Sequence, residues 1–196
     1  MQLGDTMNMG EITMKTYETD RLILKTLDKT YAGMVVDYYT RNKDFLRQWI
    51  SSRDESFYTV ECQEKRLEED LENASNNKSL RLWIFKKGSN DRLIGTVAFN
   101  NILLCSYLSC QIGYRLDKDE VNRGYITEAA RCGIDVMFHD YKLHRIEANI
   151  MPKNLRSLRV AEKLGFYNEG LAYRYLKING RWEDHIHMVL LNDKLE

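Results

Sequence analysis

The segment Val121-Asn122-Arg123-Gly124-Tyr125-Ile126-Thr127-Glu128-Ala129 sets a polar run and one glycine ahead of an alanine-rich helix start. A helix N-terminus offers unpaired backbone N–H groups and roughly half an elementary positive charge, which suits a diphosphate. Gly124 permits a positive φ or the close approach of a phosphate, and Arg123 offers a charge-assisted contact. One glycine and one arginine before a helix are equally a plain turn, so the segment alone leaves both readings open. A second polar pair, Asn154 and Ser157, faces the first turn of one helix, where Asn154 also reads as an ordinary cap. Arg145, Glu147 and Asn149 alternate onto one face of a strand, as do His185 and His187. The two histidines make half a metal site or, more simply, a polar strand face; no metal is expected.

The elements that position these residues follow from hydrophobic periodicity. Arg21–Leu27 alternates as a strand, and residues 30–49 carry Met34, Val35, Tyr38, Tyr39, Phe45, Leu46 and Trp49 at helical spacing. Thr59 opens an exposed helix with acidic residues early. "LRLWIFKK", "RLIGTVAFNNILL" and "SYLSCQIGYRLD" form a meander of strands, the first two joined by a turn at Ser89-Asn90-Asp91. A helix from Thr127 to about Tyr141 presents Ala130, Ile134, Met137, Phe138 and Tyr141 as one stripe. A strand over 143–151 and a helix over 154–164, stopped by Gly165, precede a hairpin over 171–191 that turns at Asn179-Gly180. A strand–helix–strand crossover among antiparallel strands predicts an α/β (α+β) fold: a mixed, mostly antiparallel twisted sheet with helices on both faces.

Composition bounds the function. With 196 residues, 43% hydrophobic and 30% charged, the chain reads as one globular domain over 17–196 behind a loose leader over 1–16. Basic and acidic residues balance at 29 each, so no strong nucleic-acid binding is expected, although the Arg/Lys-rich stretch 153–163 leaves room for a local patch. No apolar run approaches a membrane span, and the N-terminus lacks a signal-peptide pattern. Four cysteines without C-x-x-C spacing fit a reducing cytoplasm.

Taken in order, "IGYRLDKDEVNRGYITEA" and "NLRSLRVAEKLGF" resemble the GNAT superfamily of acetyl-CoA-dependent N-acetyltransferases. Ile112, Gly113, Tyr114 and Leu116 match its I-G-Y-x-L strand, and Gly124 matches the loop glycine. Asn154, Ser157, Lys163, Leu164, Gly165 and Phe166 match its later helix. "ETDRLIL", "LIGTVAFNNI", "HRIEANIMPKN" and "INGRWEDH" are similar to the bacterial ribosomal-protein N-terminal acetyltransferases of the RimJ/RimL group, a likeness running from Tyr17 to Leu191. Three positions depart: Val121 stands for Gln or Arg, Asn122 for a glycine, and Ile126 for Gly or Ala. A cradle of backbone amides tolerates the first two, and asparagine is the best non-glycine residue for a left-handed conformation. Ile126 suits a position turned toward helix–sheet packing.

The resemblance implies the GNAT fold and direct acetyl transfer from acetyl-CoA, as cosubstrate, to an amine. The acceptor it implies is the N-terminal amine of a protein, ribosomal in this group. A small amine (antibiotic, polyamine or amino acid) is the alternative, and a non-catalytic CoA-binding module or a ribosome-docking protein are rivals from other classes. Either a monomer or a homodimer is compatible. By resemblance the backbone of Gln111, Ile112 and Gly113 binds pantetheine and the oxyanion. Val121, Asn122, Arg123, Gly124, Tyr125, Ile126 and Thr127 hold the diphosphate, and Asn154 and Ser157 contact the cofactor. Ala161 stands where many members carry a tyrosine acid, which leaves Ser157 as the hydroxyl at the matching place. Glu147 is the candidate base, acting through water, or else a salt-bridge partner of Arg145, of another nearby arginine or of a lysine. Glu128 reads as a first-turn acid favoured by the helix dipole. Trp83 belongs to the core, Trp49 is a candidate for the acceptor cleft, and Trp182 is the least constrained.

Overall fold

The computed structural model describes residues 14–89 and 91–195. Among them, eight strands are β1 (Thr16–Glu18), β2 (Leu22–Lys25), β3 (Leu80–Lys86), β4 (Gly95–Leu103), β5 (Ser109–Leu116), β6 (Arg145–Ile150), β7 (Tyr167–Ile178) and β8 (Arg181–Leu191). They form one sheet in the order β1-β2-β3-β4-β5-β6-β8-β7. Every neighbouring pair is antiparallel except β5 with β6. The helices are α1 (Ala32–Arg41), α2 (Lys43–Arg47), α3 (Val60–Ser75), α4 (Tyr125–His139) and α5 (Leu155–Lys163). The leader expected over 1–16 falls largely outside the described residues, as does Asn90 of the expected turn; β1 takes in Thr16 opposite Lys25.

Strand alternation explains why helices cover both faces. On β3, Trp83 and Phe85 join Val35, Tyr38, Tyr39 and Leu67 from α1 and α3 in one buried cluster. Leu82 and Ile84, pointing the other way, join Ala129, Ala130, Ile134 and Met137 of α4 and Ala161 just inside the end of α5. Each such large side chain contributes roughly 2 kcal/mol on burial. Gly133 lets α4 lie close on the sheet: a Cβ there would sit 2.7 Å from the Phe99 ring.

Three boundaries differ from the periodicity, each for a visible reason. The apolar pattern over 30–49 is divided at Asn42, a fully buried side chain. Its amide donates to the Tyr38 carbonyl at 2.9 Å, and its Oδ1 accepts the Lys118 N–H at 2.9 Å. Helix α4 begins at Tyr125, two residues before the expected Thr127, because Gly124 is its left-handed cap at φ 81°. Strand β7 starts at Tyr167 instead of Leu171, paired to Val189. The hairpin turn lies where expected, with Asn179 and Gly180 both at positive φ (49° and 84°) between paired Ile178 and Arg181.

Candidate active site

The site begins where β5 and β6 part. They pair only as Ser109 with Arg145, Cys110 with Ile146, and Gln111 with Glu147. Beyond that point β5 runs on through Leu116 and β6 through Ile150, with no pairing between them. The facing edges therefore hold backbone N–H and C=O groups free of any sheet partner, an arrangement tolerated only where water or a ligand completes them.

The loop after β5 lies at this gap. Asn122 (φ 64°) and Gly124 (φ 81°) are both left-handed, and the first helical N–H to find an intrahelical partner is that of Glu128, to Gly124 O. The amides of Tyr125, Ile126 and Thr127 precede it at the open end of the helix, an arrangement with the chemistry to accept an anion. Glu128 ties the loop to the β1–β2 turn: Thr19 Oγ1 donates to it at 2.6 Å, the Arg21 N–H at 3.0 Å and Arg21 Nε at 2.7 Å. Burial raises the Glu128 pKa, but these hydrogen bonds outweigh it and hold the carboxyl below its ordinary value. The Arg21 guanidinium also stacks over Tyr125, 4.6 Å from the ring centroid. Further back, the wholly buried Asp117 accepts from Arg41 Nε at 2.8 Å and Arg92 Nη2 at 3.2 Å. That cluster anchors the loop to α1.

Across the gap, α5 presents Asn154 and Ser157. Asn154 caps the helix by accepting the Ser157 N–H at 3.2 Å, and it also lines the cavity. Ser157 Oγ donates to the Tyr114 hydroxyl at 3.0 Å, which in turn donates to the Ser157 carbonyl at 2.9 Å. Burial pushes the Tyr114 phenol up to about 12, with the Ser157 hydrogen bond pulling the other way.

A cavity of about 470 Å³ opens between these elements. Of the candidate residues, Gly113, Val121, Asn122, Gly124, Ile126, Thr127, Asn154 and Ser157 line it together. Gln111, Ile112, Arg123, Tyr125 and Glu147 are not among its lining residues. The Gln111 side chain accepts from Asn101, Ile112 packs into the core, and Arg123 pairs with Glu120 at 3.2 Å. Arg123 therefore points its charge at a carboxylate, and the Gln111 and Ile112 positions offer backbone only. Glu147 accepts from Arg145 Nε at 2.7 Å, the ion-pair alternative for this residue, and Arg145 is shared with Glu169. Ile126 does double duty, packing on the core while its surface lines the cavity. Trp83 is buried in the core, Trp49 lines the cavity, and Trp182 is 60% exposed.

Several further residues line the cavity, including basic residues of the 153–163 stretch. Arg156, Arg159 and Lys163 form a basic row on the cavity side of α5. Their spacing of three and four was a legible helical signal. Phe45, Leu46 and Ile50 join Trp49 as an apolar wall, and Asn149 and His185 enter from β6 and β8. The Asn179 side chain fastens that wall: Oδ1 accepts from Ser52 N–H at 2.7 Å and Nδ2 donates to the Arg47 carbonyl at 2.7 Å. His185 and His187 flank the Tyr175 ring at 5.7 and 4.8 Å. Among the described residues no group of three or more His, Cys, Asp and Glu is placed to hold a metal. All four cysteines are free, and no helix among the described residues is long and apolar enough to cross a membrane.

Comparison with known proteins agrees with this geometry. A family model described as an acetyltransferase (GNAT) domain matches residues 21–167. The probable N-acetyltransferase YjcK of Bacillus subtilis strain 168 is 43% identical over 171 residues, covering 87% of this chain and 94% of that protein. The ribosomal protein uS5-alanine N-acetyltransferase of Escherichia coli K12 is 33% identical over 168 residues, covering 86% of each. The crystal structure of the ribosomal-protein-S5-alanine acetyltransferase from Vibrio fischeri is similar with a TM-score of 0.88 at 32% identity, covering 93% of this chain and 99% of that one.

Proposed function

The chain belongs to the GNAT acetyltransferase family, and from that premise we propose that it transfers the acetyl group of acetyl-CoA to the α-amino group of a protein N-terminus, a ribosomal protein being the first candidate. The observation that carries the reading is the parting of β5 and β6 beyond Gln111 and Glu147, with the N-terminus of α4 facing the opening. Each part of acetyl-CoA has a matching feature. The diphosphate suits the left-handed Asn122 and Gly124 with the amides of Tyr125, Ile126 and Thr127. The remaining anionic charge suits Arg156, Arg159 and Lys163. The amide-bearing pantetheine arm suits the unpaired backbone beyond Gln111 and Ile112, where Gly113 has nothing within 4 Å of a Cβ position.

Acetyl transfer requires oxyanion donors, a proton for the departing sulfur and a route for the amine proton. A backbone N–H on the free edge of β5 suits the oxyanion. Ser157 Oγ, its hydrogen now directed at Tyr114, suits the sulfur after rotation about one bond. The acceptor assignment is supported by relatives named for a ribosomal alanine terminus at 33% and 32% identity, each matched over most of both chains. Thiol release from acetyl-CoA tests it, using short peptides with free or blocked N-termini alongside polyamines and amino acids. Turnover confined to free peptide N-termini supports the reading; turnover only with small amines replaces the acceptor while leaving the acetyl transfer.

A further inference from the structure

One polar cluster beside the cavity has no role in the scheme so far: Asn149 on β6, Tyr175 on β7, and His185 and His187 on β8. The pairing of β7 with β8 is irregular between Ala172 and Leu176. Within that interval Arg174 is left-handed at φ 51°, its N–H donating to Asp184 Oδ1 at 2.8 Å. Bulges of this kind re-aim side chains beside functional sites. Here Tyr175 is turned across both histidine rings. Asn149 sits directly opposite His187 in the sheet. Asn149 Oδ1 and His187 Nε2 are both buried with no hydrogen-bond partner among the described residues. Burying such atoms is costly unless a ligand or water completes them, and Asn149 Oδ1 can be completed only by a donor.

His185 is the member best placed for chemistry. It is only 4% exposed, yet it lines the cavity together with Asn149 and Ser157. Its Nδ1 lies 3.0 Å from the Glu183 carbonyl, which fixes Nδ1 as the protonated nitrogen and leaves Nε2 with a free lone pair. We propose that His185 Nε2 is the base that takes the proton from the acceptor ammonium, with Asn149 Oδ1 accepting a hydrogen bond from the same nitrogen. The assignment rests on the acetyl-transfer reading. Glu147, held in its ion pair with Arg145, then supports β6 instead of the chemistry.

A proton leaves R–NH3+ for His185, and the freed amine attacks the thioester carbonyl carbon. The C–N bond forms as the C–S bond breaks. The second amine proton and the proton on His185 leave through the cavity, one replacing the proton that Ser157 gives to sulfur and the other passing to solvent. Burial lowers the His185 pKa from 6.5, which keeps the imidazole neutral and receptive at pH 7. The groups around it divide: Glu183 and Asp184 on its own strand raise the pKa and His187 lowers it. Glu183 is itself neutralised by Lys153 at 2.8 Å, while Tyr175 and Asn149 face the cluster as uncharged neighbours.

The test compares the full chain with His185→Gln and His185→Ala, reading CoA binding by calorimetry and peptide acetylation as kcat across pH. His185→Gln is expected to bind CoA within twofold of wild type while kcat falls about 10²–10⁴-fold. The acid limb of kcat should move from below 6.5 up toward the α-amino pKa near 8, since free amine must then come from solution. Added imidazole should restore part of the His185→Ala rate. A His185→Gln enzyme within threefold of wild type in kcat, or one whose loss leaves the pH profile unmoved, overturns the assignment while acetyl transfer stands. If wild type binds CoA but acetylates no amine, the functional reading itself falls and takes this assignment with it. If His185→Ala is unfolded, the kcat and pH profile of His185→Gln decide.

Discussion

The Tyr114 hydroxyl stands 3.0 Å from Ser157 Oγ and 2.9 Å from the Ser157 carbonyl, joining the free edge of β5 to the first turn of α5. The contact orients the hydroxyl proposed to serve the leaving sulfur, and burial pushes the Tyr114 phenol up to about 12. Tyr114→Phe keeps the packing and removes the partner. We expect kcat to fall about tenfold, with CoA affinity unchanged and stability reduced by about 1 kcal/mol. Ser157→Ala should cost about 10²-fold, and the double variant no more than Ser157→Ala alone, because the two act as a unit. Full additivity in the double-mutant cycle would separate them.

The proposed diphosphate cradle depends on two left-handed residues, Asn122 and Gly124. A Cβ at Gly124 would be strained at φ 81° and would meet Arg21 Nη2 at 3.4 Å. Gly124→Ala should therefore weaken CoA binding about tenfold and cost about 1 kcal/mol of stability, leaving kcat at saturation nearly unchanged. Asn122→Gly should bind CoA as wild type does, whereas Asn122→Val should behave like Gly124→Ala. Calorimetric titration with CoA reads both comparisons.

Acid stability should report Asp117. Burial alone would raise its pKa, but hydrogen bonds from Arg41 and Arg92 win and hold it below 3.8. A depressed folded pKa means the contribution is fully present above 3.8 and is lost as pH falls through the lower, folded value. Asp117→Asn should lower stability by roughly 3 kcal/mol near neutral pH, with the gap to wild type closing in strong acid. Thermal melts between pH 7 and pH 3 measure it.

The acceptor wall should loosen independently of the cofactor site. Asn179→Ala removes the hydrogen bonds to Ser52 and Arg47 and frees the segment bearing Trp49 and Ile50. The expected result is a KM for the peptide raised severalfold with the KM for acetyl-CoA unmoved. Equal changes in both would show that this turn supports the whole cavity.

What was legible in the sequence was local chemistry. The Asn179-Gly180 turn could be read because both residues tolerate a positive φ. The loop at Gly124 could be read only together with the ordered motifs around it, since one glycine before a helix also fits a plain turn. Even there the helix start was misjudged, since Gly124 caps α4 itself and brings Tyr125 and Ile126 into the first turn. The break at Asn42 was not legible, because its carbonyl partner is the Lys118 amide far along the chain. Tyr114 was visible as a motif letter without a role; only the approach of α5 to β5 gives its hydroxyl one. His185 read as part of a polar strand face because the bulge that turns Tyr175 onto it has no sequence signature. Glu147 had two readings that period-two alternation cannot separate, since Arg145 and the cavity-lining Asn149 share its face of β6.

Acetyl transfer from acetyl-CoA to a protein α-amine can be read in a single mass measurement. A peptide with a free N-terminus and one internal lysine is incubated with enzyme and acetyl-CoA, then sequenced by tandem mass spectrometry. A single added acetyl group on the α-nitrogen is expected, and none when the N-terminus is blocked. Acetyl on the lysine side chain alone, or no acetyl on any peptide while polyamines or amino acids are modified, would contradict it.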